Sequence, residues 1–241
     1  MVESRHPCIW EPQLLTEFRH VRAGLTLKGF GNMAPYVGSA PEAEGNRERL
    51  AQILDCPPTR TTWATQVHGC DIALADGSSY GDLGAYDGIV TTEPGRLLIC
   101  YTADCVPVFL VSSRQPLAAV VHAGWRGTAA HVVQGAVRLM QDLGAEPSDM
   151  YAVIGPAIQG ACYQVGSDTA RHFPSSVVKH SDADYRVDLP RCNQLQLMEV
   201  GVPKEQIEVS HSCTHCQPEL SSYRRDQDRA ERMGAFLVLR S

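Results

Sequence analysis

Three uninterrupted apolar runs, at residues 97–101, 106–111 and 117–121, constrain this chain more than any other feature. Each has the length of a buried strand, and none approaches the length of a membrane span. Further strands are predicted at 61–67, 151–154, 206–210 and 235–239. The strongest helix lies at 129–143, where Val132, Ala136 and Met140 share one stripe, with Val133, Val137 and Leu143 beside it. Gly144 is its natural stop. Leu50, Ile53 and Leu54 give 46–54 helical spacing, and shorter helices are expected at 167–173 and 193–200. Residues 31–45, rich in Gly, Pro and Ala, read as a long loop, and 76–88 as a turn-rich connection. Strands outnumber helices but alternate with them, and no linker or repeat interrupts the order. The fold class is therefore α+β, with mixed α/β layers in one domain spanning residues 1–241.

Composition narrows the function. The chain has 241 residues, 44% hydrophobic and 20% charged, which suits one large core and excludes a disordered, collagen-like or fibrous reading. A formal net charge of −6 argues against a nucleic-acid binder, which would carry a basic face. The first ten residues lack the basic-then-apolar layout of a secretion signal. Nine cysteines without a dense, regular framework then indicate a reducing, cytoplasmic setting with mostly free thiols. Neither nucleic acid nor a membrane is an expected partner.

Three segments stand above this background, each placing His or Cys where a strand gives way to a turn. Thr65-Gln66-Val67-His68-Gly69 runs from a strand into a glycine turn. Thr102-Ala103-Asp104-Cys105-Val106-Pro107 is a polar break between two apolar strands. His122-Ala123-Gly124-Trp125-Arg126-Gly127-Thr128 ends one buried strand and opens the best helix. Mixed sheets build their sites at such strand ends. Two imidazoles and one thiolate with an open fourth position make a catalytic-zinc donor set. The same atoms suit a Cys nucleophile with a His base, or copper. Gly124 and Gly127, with Thr128 capping the helix behind them and Arg126 nearby, read as a place for a phosphate-like anion. A rival metal site lies at His211-Ser212-Cys213-Thr214-His215-Cys216, whose Cys-x-x-Cys spacing suits zinc. No second cysteine pair at standard spacing completes it, and neither the His-x-Glu nor the Pro-Cys-x-x-Cys of zinc nucleobase deaminases occurs.

These motifs resemble the YfiH family, whose members are described as laccase-like polyphenol oxidases and as purine nucleoside phosphorylases. The resemblance extends through Asn46-Arg47, Asp87-Gly88-Ile89-Val90-Thr91, Gly155-Pro156-Ala157-Ile158, Cys162-Tyr163-Gln164-Val165-Gly166, Asp188-Leu189, Cys213-Thr214 and Ser222-Tyr223-Arg224-Arg225-Asp226, in family order. It covers the chain from about residue 20 to the end. It implies a compact layered domain, similar also to cytotoxic-necrotizing-factor deamidases, with one zinc on His68, Cys105 and His122. It further implies phosphorolysis of adenosine, inosine, guanosine or methylthioadenosine, and deamination of adenosine. Other branches imply copper-dependent phenol oxidation, or removal of a wrongly attached serine from a peptidoglycan precursor. Gln164 stands where the family usually has Glu, and the resemblance places Cys213 and Cys216 in structural positions or near the pocket, outside the ligand set.

On this basis the expected chemistry is zinc-assisted attack at a purine nucleoside. His68, Cys105 and His122 would act with Asp104 as proton shuttle. Arg47, Arg126 and Arg224 are candidates to hold phosphate, and Tyr223 to stack on the base. The partners expected are nucleoside and phosphate, on a monomer or weak homodimer. Three other readings stay open: a Cys105–His hydrolase or amidase, a scaffold with structural zinc, and a copper oxidase. The last is the weakest, because a laccase needs several coppers and more histidines than these positions offer.

Overall fold

The computed structural model describes residues 6–77, 79–181 and 184–240. Met1–Arg5, where the reading of the N-terminus begins, lie outside the described residues. In chain order the strands are β1 (Ile9–Trp10), β2 (Val21–Thr26), β3 (Thr61–Thr65), β4 (Ile72–Ala75), β5 (Gly81–Ala85), β6 (Gly88–Thr91), β7 (Leu97–Thr102), β8 (Val106–Ser112), β9 (Ala118–Ala123), β10 (Met150–Ile154), β11 (Gln164–Val165), β12 (Val178–Ser181), β13 (Asp184–Val187), β14 (Ile207–Val209) and β15 (Met233–Leu239). The helices are α1 (Ala40–Ile53), α2 (Trp125–Ala129), α3 (Val132–Asp142), α4 (Ser167–Ala170), α5 (Leu189–Glu199) and α6 (Tyr223–Asp226). One sheet has the order β1-β2-β15-β7-β3-β5, a second β14-β10-β8-β9-β6-β4, and a small third β11-β13-β12. Both large sheets mix parallel and antiparallel pairs. The α+β expectation holds.

The apolar runs are continuous because they are covered on both faces. On β7, Leu97, Ile99 and Tyr101 pack with Leu50 and Ala51 of α1, while Leu98 and Cys100 face the second sheet. On β8, Val106, Val108 and Leu110 meet Val133, Val137 and Met140 of α3, while Phe109 and Val111 turn to the first sheet. The layers are thus α1, first sheet, second sheet, then α3 with α5. Among the described residues no helix is long and apolar enough to cross a membrane.

Several boundaries differ from the sequence reading. The loop expected at 31–45 ends early, because Ser39 caps α1 by accepting the Glu42 N–H (3.5 Å) and Pro41 occupies the first turn. The helix expected at 129–143 starts later, as α3 at Val132, because α2 ends at Ala129 and His131, at φ 60°, separates the two. Gly144, at φ 94°, ends α3 as expected. The stretch 76–88 contains an edge strand, β5, which two left-handed glycines, Gly81 and Gly84, disguise as turn. The helix expected at 167–173 shortens to α4. That at 193–200 starts earlier, at Leu189, where the Asp188 carboxylate accepts the Arg191 N–H (3.0 Å).

Strand directions gather one end of the sandwich. β3 and β7 run parallel and finish together, β8 starts at that end, β9 returns to it, and β6 leaves it. Residues 103–105 form the corner where the chain passes from the first sheet to the second.

Candidate functional site

The three sequence-predicted segments meet at this end. His68 follows β3, Cys105 precedes β8, and His122 lies near the end of β9, opposite Pro107. One donor atom from each of the three falls within 4.8 Å of the others. The His68 and His122 rings stand edge to face, at 86° with centroids 4.8 Å apart. Gln66 braces the His68 loop: its amide donates to the Tyr101 carbonyl (2.7 Å) and accepts the Tyr101 N–H (2.6 Å), extending the β3–β7 pairing through a side chain.

Asp87, which carries no spacing signal in the sequence, organises the group. Its buried carboxylate lies 2.8 Å from His122 Nδ1 and accepts the backbone N–H groups of Val67 (3.2 Å), His68 (3.0 Å) and Gly69 (2.6 Å). Burial would raise this carboxyl, but the bonds from His122 and the Gly69 N–H outweigh it and hold it below the ordinary carboxylate value. With Nδ1 of His122 engaged, Nε2 is the nitrogen left for a ligand. Burial likewise pushes the Cys105 thiol up, yet His122 and then His68 bring it down. Burial lowers His122, while Cys105 and Asp87 raise it well above an ordinary histidine. The two shifts are opposite and mutual, the direction that favours a thiolate beside a protonated ring.

Two glycines press against this group. A Cβ on Gly124 would stand 3.0 Å from His68 Cδ2 and 3.2 Å from Cys105 Sγ, and one on Gly127 would stand 2.7 Å from the Gly69 carbonyl oxygen. Close packing thus accounts for both. Thr128 does not cap a helix as the sequence suggested; it is buried inside α2, and its hydroxyl accepts from Asn193 Nδ2 (3.1 Å).

The donors form the floor of a cavity of about 610 Å³. Tyr36, Tyr101, Trp125, Tyr163 and Tyr223 supply aromatic walls, and Arg224 and Arg232 supply positive charge.

The family model described as "Multi-copper polyphenol oxidoreductase laccase" matches residues 24–240. The chain belongs to this family. It is 38% identical over 243 residues to "Purine nucleoside phosphorylase YlmD" of Geobacillus stearothermophilus, covering 89% of each chain. The crystal structure of that YlmD superposes with a TM-score of 0.88 over 93% of both chains. The chain is also 38% identical over 200 residues to "Purine nucleoside phosphorylase Rv2149c" of Mycobacterium tuberculosis, covering 81% of this chain and 79% of that one. The crystal structure of the Bacillus licheniformis hypothetical protein YfiH matches at 30% identity and TM-score 0.91 over 98% of this chain and 97% of that one.

In this member of the laccase family, the remaining sequence candidates divide. Asp104, Arg224 and Tyr223 reach the cavity. Asp104, at φ 96°, accepts the Thr214 hydroxyl on one carboxylate oxygen (2.6 Å) and the Arg224 N–H on the other (2.6 Å). Arg224 donates through Nη1 to the Gln164 carbonyl (2.8 Å), with its guanidinium 5.2 Å from the Tyr163 ring. Arg126 is exposed and lies over the Trp125 ring at 4.3 Å. Arg47 is not brought to the cavity: it is buried, donates to the Met33 carbonyl (2.8 Å) and stacks over Trp63 at 4.6 Å. Arg232 was missed, although Tyr223, with its ring 5.6 Å from that guanidinium, marks its neighbourhood.

Proposed function

We propose that this protein cleaves purine nucleosides by phosphorolysis in the cavity above His68, Cys105 and His122, with zinc as the ion those residues hold. The observation that carries the reading is the convergence of two imidazoles and one thiolate beneath a wall of aromatic rings and two arginines. Names of relatives at 38% identity support the same substrate class. The donor set fits the ion: one softened thiolate, two ring nitrogens and a buried carboxylate behind one of them match a zinc site with an open position. Zinc in such a site supplies Lewis acidity at neutral pH.

The chain's own residues do the rest. Tyr163 and Tyr223 offer flat faces for a purine. Arg224 and Arg232 hold phosphate near the sugar, whose C1′ forms a bond to a phosphate oxygen as the bond to the purine nitrogen breaks. Asp104, with both carboxylate oxygens engaged, acts as a positioning residue that fixes the start of α6 rather than as a free proton carrier. Adenosine deamination uses the same floor and walls.

A second reading rests on a specific geometry. Cys105, His122 and Asp87 also line up as thiolate, imidazole and orienting carboxylate, the arrangement of a thiol hydrolase acting on an amide or seryl bond.

One experiment separates them. Purified protein with measured metal content is assayed for phosphate-dependent release of adenine or hypoxanthine, beside Cys105→Ala. Turnover that needs phosphate, is lost on chelation, returns with zinc and is absent from the variant supports phosphorolysis. Zinc-loaded protein that leaves adenosine, inosine and guanosine untouched refutes it. Turnover of an amide substrate that survives chelation and stops on alkylation establishes the thiol reading.

A further inference from the structure

A second cluster of ligand-type side chains, all sulfur, lies outside the cavity. Cys162, Cys213 and Cys216 place their Sγ atoms within 4.8 Å of one another, with 3.3 Å between Cys162 and Cys216. None of the three lines the cavity. The Cys-x-x-Cys pair visible in the sequence thus gains its third partner from a segment more than fifty residues away in the chain.

The local backbone holds the three sulfurs in place. The turn that carries Cys213 and Cys216 is closed by the Cys216 and Gln217 N–H groups on the Cys213 carbonyl (3.2 and 3.0 Å), and the Thr214 N–H donates to the Ala157 carbonyl (3.2 Å). On the other side, the Cys162 N–H donates to the Gln159 carbonyl (2.8 Å). Zinc–sulfur bonds of about 2.3 Å put tetrahedral sulfurs about 3.8 Å apart, within the spread found here. Cys213 is buried and Cys216 exposed, so the triangle is anchored on one side and open to solvent on the other.

We propose that Cys162, Cys213 and Cys216 form a second metal site, which takes one zinc ion on three thiolates and leaves the fourth position to water. Binding releases the protons of those thiols still protonated. The ion would clamp two pieces of the cavity wall. Cys162 precedes Tyr163, which lines the cavity. Cys213 precedes Thr214, whose hydroxyl holds Asp104. Ala157 and Cys213 are already bridged, and Arg225 Nη1 donates to the Thr214 carbonyl (2.8 Å). The missing tie in this bracing is the one between the sulfurs.

The test is zinc stoichiometry in reduced, zinc-loaded and desalted protein. The expected result is two ions per chain in the wild type, one in Cys105→Ala, one in Cys216→Ser and none in the double variant. One ion in the wild type with none in Cys105→Ala overturns the proposal. The unmutated chain gives an independent reading should Cys216→Ser fail to fold. Iodoacetamide labelling, mapped by peptide mass, is expected to slow by an order of magnitude or more at Cys162, Cys213 and Cys216 when zinc is present. Equal labelling with and without zinc, or a Cys162–Cys216 disulfide in the zinc-loaded reduced protein, overturns the proposal as well.

Discussion

Asp87 Oδ1 stands 2.8 Å from His122 Nδ1, both side chains closed to solvent, and the same carboxylate carries the backbone of the His68 loop. One buried group therefore aims one donor and holds the other in place. Asp87→Asn keeps the shape and removes the charge. Its affinity for zinc at the His68–Cys105–His122 site is expected to fall about 10- to 100-fold, read by competition with a chromophoric chelator. The Asp87 carboxyl titrates lower in the folded chain than in the unfolded one. Its stabilisation is complete above the unfolded value of about 3.9 and is lost as pH falls through the folded value. The gap in stability between wild type and Asp87→Asn should therefore close in acid.

Cys105 in the metal-free protein is expected to react as a thiolate down to about pH 6, where ordinary cysteines are protonated. His122, raised by the same pairing, keeps its proton over this range. The rate of Cys105 alkylation against pH, followed by peptide mass, checks this. His122→Ala removes the principal opposing charge and should move the rise of the curve toward higher pH.

Gly124→Ala tests contact rather than charge. Gly124 has φ −71°, so alanine costs the backbone nothing, but its methyl meets His68 and Cys105. Zinc content is expected to drop below half of wild type while the circular dichroism spectrum stays unchanged.

Arginines inside and outside the cavity should separate cleanly. Arg232→Ala is expected to raise KM for phosphate about tenfold or more through loss of a charge-assisted bond, with zinc content unaltered. Arg47→Ala should leave that KM alone and cost about 1–3 kcal/mol of stability in denaturant unfolding, because the Met33 carbonyl loses a buried donor.

Gly45 sits exposed in α1 with nothing within 4 Å of the place a Cβ would take. Gly45→Ala is expected to stabilise the protein by about 0.5–1 kcal/mol, seen as a higher denaturation midpoint with unchanged slope.

The sequence shows some of this architecture plainly and hides the rest for identifiable reasons. His68, Cys105 and His122 are legible because each interrupts an apolar pattern at a strand end. The α3 stripe is legible because five of its residues, from Val132 to Met140, all face one core. Asp87 is not, since a carboxylate that serves three backbone N–H groups needs no fixed distance in sequence from any of them. Cys162 stands in a family segment, but its meeting with Cys213 and Cys216 leaves no sequence signal, because only tertiary packing brings them together. The start of α1 left a trace that composition obscured: Ser39 followed by Pro41 and Glu42 is a helix opening, set in a stretch whose glycines suggest a loop.

The donors of the principal site come from both sheets, His68 from behind β3 and Cys105 and His122 from beside β8 and β9. Cys105 and His122 meet within one local hairpin, β8–β9, whereas His68 reaches them only when β3 of the other sheet is in place beside β7. The full set of three donors thus exists only in the assembled protein, while the hairpin alone offers two of them. A chain whose sheets mispair lacks the third donor, so an intact triad is itself a mark that both halves of the core met in register.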